Sequence, residues 1–493
     1  MIHPSFEEFK ALARPGALVP VYREIVADLE TPVSAYIKIA EGRQHTFLLE
    51  SVEHNATIGR YSFLGANPSI LFKAKGRSVT IVRDGVPETF ETDSPLDALR
   101  DLMRGYKPVK VTGLPSFHGG AVGYMAYDEV RFFEKLPDKN PDTLGLPDLY
   151  FLITDTMLIF DHARNKLLIV SNAHVGGDPE TSYKEAIRKI DELHASLKRP
   201  LDSIYEAPAA VPSGAETTSS FTKVGYCDAV RKAKEYIRAG DIFQVVLSQR
   251  FERKVSVAPI HLYRALRCIN PSPYMTLIQF PEFDLVGSSP EVMTQLQGRR
   301  AMVRPIAGTR PRGANEAEDL ALEKDLLADE KETAEHIMLV DLGRNDIGRV
   351  SKPGTVRPTR LMTIERYSHV IHIVSQVEGE LQDTADAFDA LKATFPMGTV
   401  SGAPKIRAME IIDELEPVRR GPYAGGCGYI SFSGDMDTCI IIRTIVLKDG
   451  VAYLQAGAGI VYDSDPEKEF EESVNKAAVM FKAVEFAEKG LES

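Results

Sequence analysis

The sequence predicts an α+β fold, because strand-like runs and long helical segments are interleaved without a regular β-α-β alternation. β-branched or alternating apolar residues indicate the strands, and apolar residues spaced three and four apart indicate the helices. A segment rich in Ala, Pro, Ser and Thr, 207–220, is typical of a linker. It separates an N-terminal region, 1–206, from a larger region, 221–490, in a chain of 493 residues, which is long enough for about three domains.

The N-terminal region is predicted to consist mainly of strands. They lie at 46–51, 70–75, 79–83 and 149–161. One helix is predicted at 181–197, and it ends in a basic turn before Pro200.

The larger region mixes both kinds of element. A helix at 223–239 ends at Gly240, a residue that favours helix C-termini. A long acidic helix is predicted at 315–342, and a final helix begins near Pro466, which suits a first helical turn. Strands are predicted at 242–250, 275–280, 302–306, 428–432, 438–447 and 452–455.

Composition excludes several classes of protein. The net charge of -12, from 58 basic and 70 acidic residues, disfavours nucleic acid as a partner. The four cysteines are scattered without a C-x-x-C pair, which disfavours disulfide and zinc frameworks. The N-terminus lacks the pattern of a signal peptide, and the most apolar stretch, 151–160, is too short to span a membrane. We therefore expect a cytoplasmic protein; it contains no tryptophan.

Two helices carry closely spaced carboxylates. Glu332 and Glu335 share a face of the acidic helix, and Glu469, Glu472 and Lys476 share a face of the last one. One interpretation is that both faces are solvated and that Glu472 and Lys476 form an ordinary i,i+4 pair. The other is that the helices converge on a hard cation such as Mg²⁺, which binds a few carboxylates and retains water. The spacing does not decide between them.

Glycine-rich segments at 305–313, 425–428 and 456–459 adjoin predicted strands. Glycine allows backbone N–H groups to approach an anion, and the two arginines of 305–313 could bind a carboxylate bidentately. Turn formation and close strand packing explain the same glycines. Neither a P-loop nor a G-x-G-x-x-G motif opening a helix is present, so nucleotide binding has little support.

Two isolated residues have both a structural and a chemical interpretation. His372 lies in a strand-like run, where it is either a core histidine or a general acid or base. Thr399 follows the pattern of an ordinary turn residue.

Taken together, the motifs resemble the chorismate-utilising enzymes, and among them the large-subunit (component I) group of anthranilate synthases. The matching blocks follow the order of the family over nearly all of the larger region, and the block at 48–51 extends the match to the N-terminal region. They lie at 240–251, 270–275, 286–291, 305–313, 334–346, 395–405, 437–444, 455–466 and 475–477. The resemblance implies the fold of this family, with antiparallel-rich sheets flanked by helices.

The resemblance also implies a Mg²⁺-dependent reaction of chorismate with ammonia that gives anthranilate and pyruvate. Three carboxylates would lie at the metal: Glu335, Glu472 and Glu469. Three residues would take part in catalysis: Glu332 as the acid for the departing C4 hydroxyl, His372 in the loss of pyruvate, and Thr399. The remaining pocket residues would contact chorismate: Gln244, Glu291, Gly308, Thr309, Tyr423, Arg443, Gly457, Ala458, Gly459 and Lys476.

Two positions distinguish members of the family. Relatives that use water carry a lysine where this chain has Gln244, and an amide cannot act as the base that lysine can be. Aminodeoxychorismate synthases typically carry a nucleophilic lysine where this chain has Ala307. Both differences favour amination by ammonia, while an aminodeoxychorismate synthase component I stays as the alternative.

The chain contains no sequence typical of a glutamine amidotransferase, so the resemblance implies a separate amidotransferase subunit, in a heterotetramer of two large and two small subunits. It also implies feedback inhibition by L-tryptophan at a site formed by Ser51, Pro273, Tyr274 and Met275. A second alternative is a non-catalytic subunit that senses tryptophan.

Overall fold

A computed structural model describes residues 1–52, 59–201, 216–367 and 370–492. The predicted α+β class is confirmed. Helices α1 to α11 lie at Phe6–Leu12, Pro32–Ala40, Pro95–Arg104, Pro179–Leu197, Lys223–Ala239, Pro259–Ile269, Glu316–Ala328, Glu330–Gly348, Ala387–Thr394, Lys405–Leu415 and Pro466–Glu488. Two 3₁₀ helices lie at Tyr127–Phe132 and Gly398–Val400.

The strands are numbered in chain order. Strands β1 to β13 lie at Ile2–His3, Ala17–Val26, Thr46–Glu50, Tyr61–Ala66, Ile70–Lys75, Ser78–Arg83, Val86–Glu91, Lys107–Pro108, Gly120–Met125, Leu149–Thr154, Thr156–Asp161, Lys166–His174 and Thr218–Ser219. Strands β14 to β26 lie at Gln244–Lys254, Tyr274–Gln279, Asp284–Ser289, Val292–Gln297, Arg300–Val303, Ile306–Pro311, Arg357–Arg366, Val370–Glu380, Gly402–Ala403, Gly426–Ser431, Met436–Ile440, Thr444–Lys448 and Val451–Ile460.

Two large sheets organise these strands. The larger has the order β1-β2-β12-β11-β4-β3-β15-β16-β25-β26-β14-β13, with β8 and β22 attached to β2 and β14. The smaller has the order β19-β21-β18-β17-β24-β23-β9-β10-β5-β6-β7, with β20 attached to β21. The pairing is antiparallel in both sheets, apart from the short parallel contact between β2 and β8.

Both sheets combine strands from the two sequence regions. Strand β3 joins β15 in the larger sheet, and β9 joins β23 in the smaller one. The predicted division into 1–206 and 221–490 stays a prediction. Part of the predicted linker, 207–215, lies outside the described residues, and Thr218–Ser219 pairs with β14.

An apolar layer contains side chains from both sheets. It includes Phe47 and Phe63 from the larger sheet and Tyr124 and Tyr150 from the smaller one, all nearly inaccessible to solvent. A second apolar layer joins the larger sheet to α1, α4, α6 and α11. Burial on both faces explains why many strands read as nearly continuous apolar runs. Among the described helices, none is long and apolar enough to cross a membrane.

Three sequence predictions of continuous elements were wrong. The strand predicted at 149–161 is divided at Asp155 into β10 and β11, which belong to different sheets. The strand predicted at 438–447 is likewise divided, and Arg443 between its halves has a positive φ of 51°. The helix predicted at 315–342 is divided at Asp329, whose carboxylate caps α8. Apolar periodicity does not show these breaks, because both halves of each element are partly buried.

Two glycine-rich segments, for which turn formation was one interpretation, belong to strands. Residues Ile306–Pro311 form β19, and the 456–459 segment lies within β26. The strand predicted at 302–306 is replaced by β18, which ends at Val303, and by the start of β19. The glycines of these segments permit close approach to neighbouring backbone: a Cβ at Gly457 would lie 2.4 Å from the carbonyl oxygen of Leu247.

Candidate active site

One cavity of about 870 Å³ is lined by most of the predicted site residues. Its walls come from β14, β19, β21 and β26, from helices α8 and α11, and from the 3₁₀ helix at Gly398–Val400. The predicted residues that line it are Gln244, Glu291, Gly308, Thr309, Glu332, Glu335, His372, Thr399, Tyr423, Arg443, Gly457, Gly459, Glu469, Glu472 and Lys476.

Ala458 lies outside this group. Successive residues of a strand point to opposite faces, so Ala458 points away from its two glycine neighbours. It is fully buried among Tyr226, Ile411 and other apolar residues. Its structural position is therefore in the core behind β26.

The four predicted carboxylates face the cavity from two helices. Burial and the neighbouring Glu335 raise the pKa of Glu332, and burial and the neighbouring Glu472 raise the pKa of Glu469. Neighbouring like charges disfavour simultaneous ionisation of both members of a pair. The two helices present an acidic wall to one cavity, and Glu472 and Lys476 also form the i,i+4 pair of the other interpretation.

The start of α8 is fixed by its cap. The Oδ1 atom of Asp329 accepts hydrogen bonds from the backbone N–H groups of Lys331 at 3.0 Å and Glu332 at 3.2 Å. Its Oδ2 atom accepts a bond of 2.9 Å from Arg310 of β19. The cap therefore ties the first turn of α8 to β19, the strand that packs against this helix.

His372 lies in β21 opposite Thr309 of β19. Its Nδ1 atom is 2.8 Å from the carbonyl oxygen of Gly308 and 3.2 Å from the hydroxyl of Thr309. A carbonyl can only accept, so this contact requires a proton on Nδ1 and leaves the lone pair on Nε2. Burial, with a smaller effect from Arg443, lowers the pKa of the imidazole, and the Gly308 contact opposes this.

Gly308 forms an irregularity in β19. The register with β21 shifts between Ala307 and Thr309, and Gly308 has a φ of 70°. A Cβ at this position would lie 3.3 Å from Glu332 Oε2. The glycine thus brings backbone close to the carboxylate of α8.

A cationic group adjoins the acidic wall. The Nη1 atom of Arg443 donates to the carbonyl oxygen of Lys476 at 2.7 Å. The Nζ atom of Lys476 donates to Gly457 O at 3.1 Å and lies 2.7 Å from Glu472 Oε1. Burial lowers the pKa of Arg443 and raises that of Tyr423 to about 12. Buried arginine and phenol groups suit a carboxylate-bearing ligand.

Glu291 and Thr399 lie beside this cationic group. Burial raises the pKa of Glu291, while Thr399, Lys476 and Arg443 oppose the rise. Thr399 belongs to the 3₁₀ helix and not to an ordinary surface turn.

Gln244 begins β14 and reaches the acidic wall. Its Nε2 atom donates to Glu335 Oε1 at 2.9 Å, and its buried Oε1 atom has no partner among the described residues. A Cβ at Gly459 would lie 2.7 Å from Gln244 Nε2, so a larger residue there would displace the amide.

The donor set fits Mg²⁺, although it is not a complete cage. Among the described residues, no three His, Cys, Asp or Glu side chains converge into a metal-binding group, so Glu335, Glu472 and Glu469 do not form a preassembled triad. Mg²⁺ usually takes one or two protein carboxylates and completes its shell with water and substrate oxygens. Oxygen donors from two facing helices in one cavity satisfy that requirement.

The predicted inhibitor residues lie apart from the cavity, where β3 meets β15. Met275 pairs with Glu50, and Ser51 follows directly, with its buried hydroxyl lacking a partner among the described residues. Pro273 precedes Tyr274, whose hydroxyl donates to Asp437 Oδ1 at 2.8 Å. The structure thus brings the two sequence-distant segments together.

Sequence reasoning missed two lysines of the cavity. Lys331 and Lys468 line it, each four residues before a predicted metal ligand on the same helix. The i,i+4 spacing to Glu335 and Glu472 was the available signal.

Comparisons with known proteins agree with this geometry. The sequence profile of the chorismate binding enzymes matches residues 44–482. The chain is 48% identical over 492 residues to anthranilate synthase component 1 of Acetivibrio thermocellus, with 99% of both chains covered. It is 50% identical over 474 residues to anthranilate synthase component 1 of Thermus thermophilus, with 96% of this chain and 99% of the relative covered.

Solved structures show the same relationship. Anthranilate synthase component I from Streptococcus pneumoniae TIGR4 matches with a TM-score of 0.77 and 38% identity, covering 92% of this chain and 98% of that one. The menaquinone-specific isochorismate synthase from Escherichia coli matches with a TM-score of 0.70 and 19% identity, covering 97% and 98%. The second similarity shows a shared fold alone.

Proposed function

This chain belongs to the chorismate binding enzyme family, in its anthranilate synthase component I group, and from that premise we propose how its cavity produces anthranilate. It is a chorismate-utilising lyase of the first step of tryptophan biosynthesis. The proposed reaction converts chorismate and ammonia to anthranilate, pyruvate and water, with Mg²⁺ bound. The observation that supports it best is the single cavity that holds acidic, cationic and imidazole groups together.

Two lining residues favour ammonia as the nucleophile. Gln244 holds Glu335 through its amide and cannot activate water as a lysine would. Ala307 lines the cavity and can form no covalent adduct with the ring. The alternative of an aminodeoxychorismate synthase, with its lysine at the position of Ala307, loses support for the same reason.

The cationic group would bind the enolpyruvyl carboxylate. Arg443 and Tyr423 supply donors, and the backbone at Gly457 and Gly459 allows the ligand to approach β26 closely. Thr309 would contact the ring from β19. Binding of the carboxylate of chorismate in this way would orient its ring between the acidic wall and His372.

Glu335 and Glu472, with Glu469 beside them, would hold Mg²⁺. The ion would neutralise the ring carboxylate and orient it as a Lewis acid. Lys476 pairs with Glu472 at 2.7 Å and therefore helps to hold this carboxylate in place.

The protons are assigned to two side chains. As ammonia bonds to ring C2, the C4 hydroxyl leaves as water with a proton from Glu332, whose pKa is raised by burial and by the neighbouring Glu335. His372 then takes the C2 proton through Nε2 while the bond from C3 to the enolpyruvyl oxygen breaks. The leaving enolate takes this proton from His372 on carbon and becomes pyruvate, while the ammonium group formed at C2 returns a proton to Glu332. Thr399 and Glu291 complete the cavity wall beside the enolpyruvyl group.

The products test the reaction. Purified chain with ammonium, Mg²⁺ and chorismate should form fluorescent anthranilate, which is easy to follow because the chain contains no tryptophan. Isochorismate or 4-aminodeoxychorismate as the main product would contradict the proposal.

The carboxylates test the metal site. Glu335→Ala and Glu472→Ala should each lower turnover at least about 100-fold, since loss even of an outer-shell partner typically costs 10–100-fold. Asp341→Ala and Glu467→Ala, on the exposed sides of the same helices, serve as controls and should retain activity. Calorimetry should show weaker Mg²⁺ binding in the two site variants only.

We also propose an amidotransferase component II as the physiological source of ammonia, in a heterotetramer of two subunits of each kind. Relatives named component 1 support a second component. Glutamine should support turnover only when that subunit is added, and sedimentation should give the stoichiometry. We propose a reducing compartment such as the cytoplasm, in keeping with four free cysteines.

L-Tryptophan is proposed as a feedback inhibitor bound where β3 meets β15. The buried, unpartnered hydroxyl of Ser51 beside Met275 supports a polar ligand there. Saturating tryptophan should inhibit the chain, and a Ser51 substitution should relieve inhibition while leaving uninhibited turnover intact. If the wild-type chain showed no turnover of chorismate and both it and Glu335→Ala bound tryptophan, the alternative of a non-catalytic sensor would gain support.

A further inference from the structure

A fully buried ion pair lies directly behind the cavity wall. Arg420 is 2% exposed and Glu416, which follows helix α10, is 3% exposed. The Nε atom of Arg420 donates to Glu416 Oε2 at 2.9 Å, and its Nη2 atom donates to Oε1 at 2.6 Å. Neither residue lines the cavity, and neither has a part in the proposed reaction.

The remaining donors of Arg420 bind the backbone of two cavity walls. Its Nη1 atom donates to the carbonyl oxygen of Val400 at 2.7 Å, and its Nη2 atom donates to that of Val246 at 2.7 Å. Both valines line the cavity. Val400 directly follows Thr399, and Val246 lies two residues after Gln244, on the same face of β14.

Arg420 also contacts a third wall through its guanidinium face. The central carbon lies 5.5 Å from the ring centroid of Tyr423 and 4.9 Å from that of Tyr127. These are cation–π distances. The positive charge opposes the rise in the pKa of Tyr423 that burial causes.

Glu416 extends the same network to a fourth wall. Its Oε1 atom accepts from the N–H and the hydroxyl of Ser248, both at 2.8 Å. The hydroxyl of Ser248 in turn accepts from Gln455 Nε2 at 2.9 Å, and Gln455 lines the cavity. One buried pair therefore connects β14, β26, the 3₁₀ helix at Gly398–Val400 and Tyr423.

The chemistry of this pair favours a geometric role over a packing role. Apolar residues of similar volume could fill the space without the desolvation cost of two charges. A planar guanidinium holds several acceptors at fixed angles, which neither an apolar residue nor a lysine can do. We propose that Arg420, held by Glu416, is a positioning residue that sets Tyr423 and Thr399 relative to Gln244. The inference rests on the proposed function of the cavity.

The first test replaces the planar guanidinium of Arg420 but keeps its positive charge. Arg420→Lys should lower kcat/KM for chorismate about 10–100-fold at saturating ammonium, since displacements of about 1 Å cost up to 100-fold. A rise in KM, with weaker chorismate binding in calorimetry, is expected because Tyr423 would contact the substrate. The matched control is Arg253→Lys, in which Arg253 loses its 2.9 Å pair with Glu488 at the far end of β14. The control also weakens an ion pair of β14 but should change kcat/KM less than about twofold.

The second test separates stability from position. In the double variant Glu416→Gln with Arg420→Met, both charges are removed and an acceptor for Ser248 is kept. Its melting temperature should be nearer to wild type than that of Arg420→Met alone, while kcat/KM stays low. The positioning role would be overturned if the double variant recovered both its melting temperature and its kcat/KM. It would also be overturned if neither Arg420→Lys nor the double variant folded. Absence of anthranilate from the wild-type chain would instead contradict the proposed function.

Discussion

The imidazole of His372 is held in its neutral form by its surroundings. Burial disfavours the charged ring, and Arg443 adds repulsion. The carbonyl of Gly308 fixes the proton on Nδ1. A proton acceptor is therefore available at Nε2 at neutral pH.

This protonation state predicts the pH dependence of the enzyme. A pKa below the usual 6.5 keeps His372 neutral as the pH falls through 6.5, so the acid limb of kcat/KM that it causes should lie below pH 6.5. His372→Gln should lower kcat about 100- to 10,000-fold and remove that limb. Rate profiles from pH 5 to 8 give the measurement; a limb at or above pH 6.5 would contradict the assignment.

At the scale of elements, the break between α7 and α8 is what directs Glu332 and Glu335 into the cavity. The sequence predicts one helix across this point, because acidic and apolar residues continue without a glycine or proline. Aspartate is a strong N-cap, and here Asp329 ends one helix and begins the next. The residues of the cap could be read from the sequence, but the change of direction depends on Arg310 of a distant strand.

Removal of the cap should therefore affect more than stability. Asp329→Ala should cost about 1 kcal/mol of unfolding free energy and also lower kcat/KM, since the first turn of α8 loses its attachment to β19. Asn315→Ala is the matched control: Asn315 caps α7 through a 3.1 Å bond to the N–H of Glu318 but does not line the cavity. Denaturant titration and steady-state kinetics on both variants measure the two effects; equal kinetic losses would contradict a specific role for Asp329.

The sequence predicted individual elements of the site better than their arrangement. Helix α5 was predicted with its observed bounds, because its apolar spacing is regular and Gly240 takes a φ of 83°. Through the family resemblance, the motifs supplied about half of the residues that line the cavity. Arg420 and Glu416 could not be recognised, since a buried ion pair has the same letters as an exposed i,i+4 pair. Strand pairing over hundreds of residues leaves no local signal either.

At the scale of the whole molecule, neither sequence region contains a complete sheet. Residues 221–493 alone would leave β15 without β3 and β23 without β9. We expect this fragment not to unfold cooperatively and not to bind chorismate, because two long strand edges would be exposed. Co-expression of 1–206 with 221–493 as separate chains should restore both properties, as measured by circular dichroism melting and calorimetry. Cooperative unfolding of the isolated fragment would show that 221–490 is an independent domain.

The pairing of β9 with β23 also delays completion of the smaller sheet during translation. The two strands are separated by about 300 residues. At translation rates of about 5–20 residues per second, β23 is synthesised roughly 15–60 s after β9. Throughout that interval the nascent chain presents an open, apolar strand, which is the kind of surface that chaperones bind. Production of this enzyme therefore depends on the capacity of the cell to protect an unfinished chain, and slower translation lengthens the period of exposure.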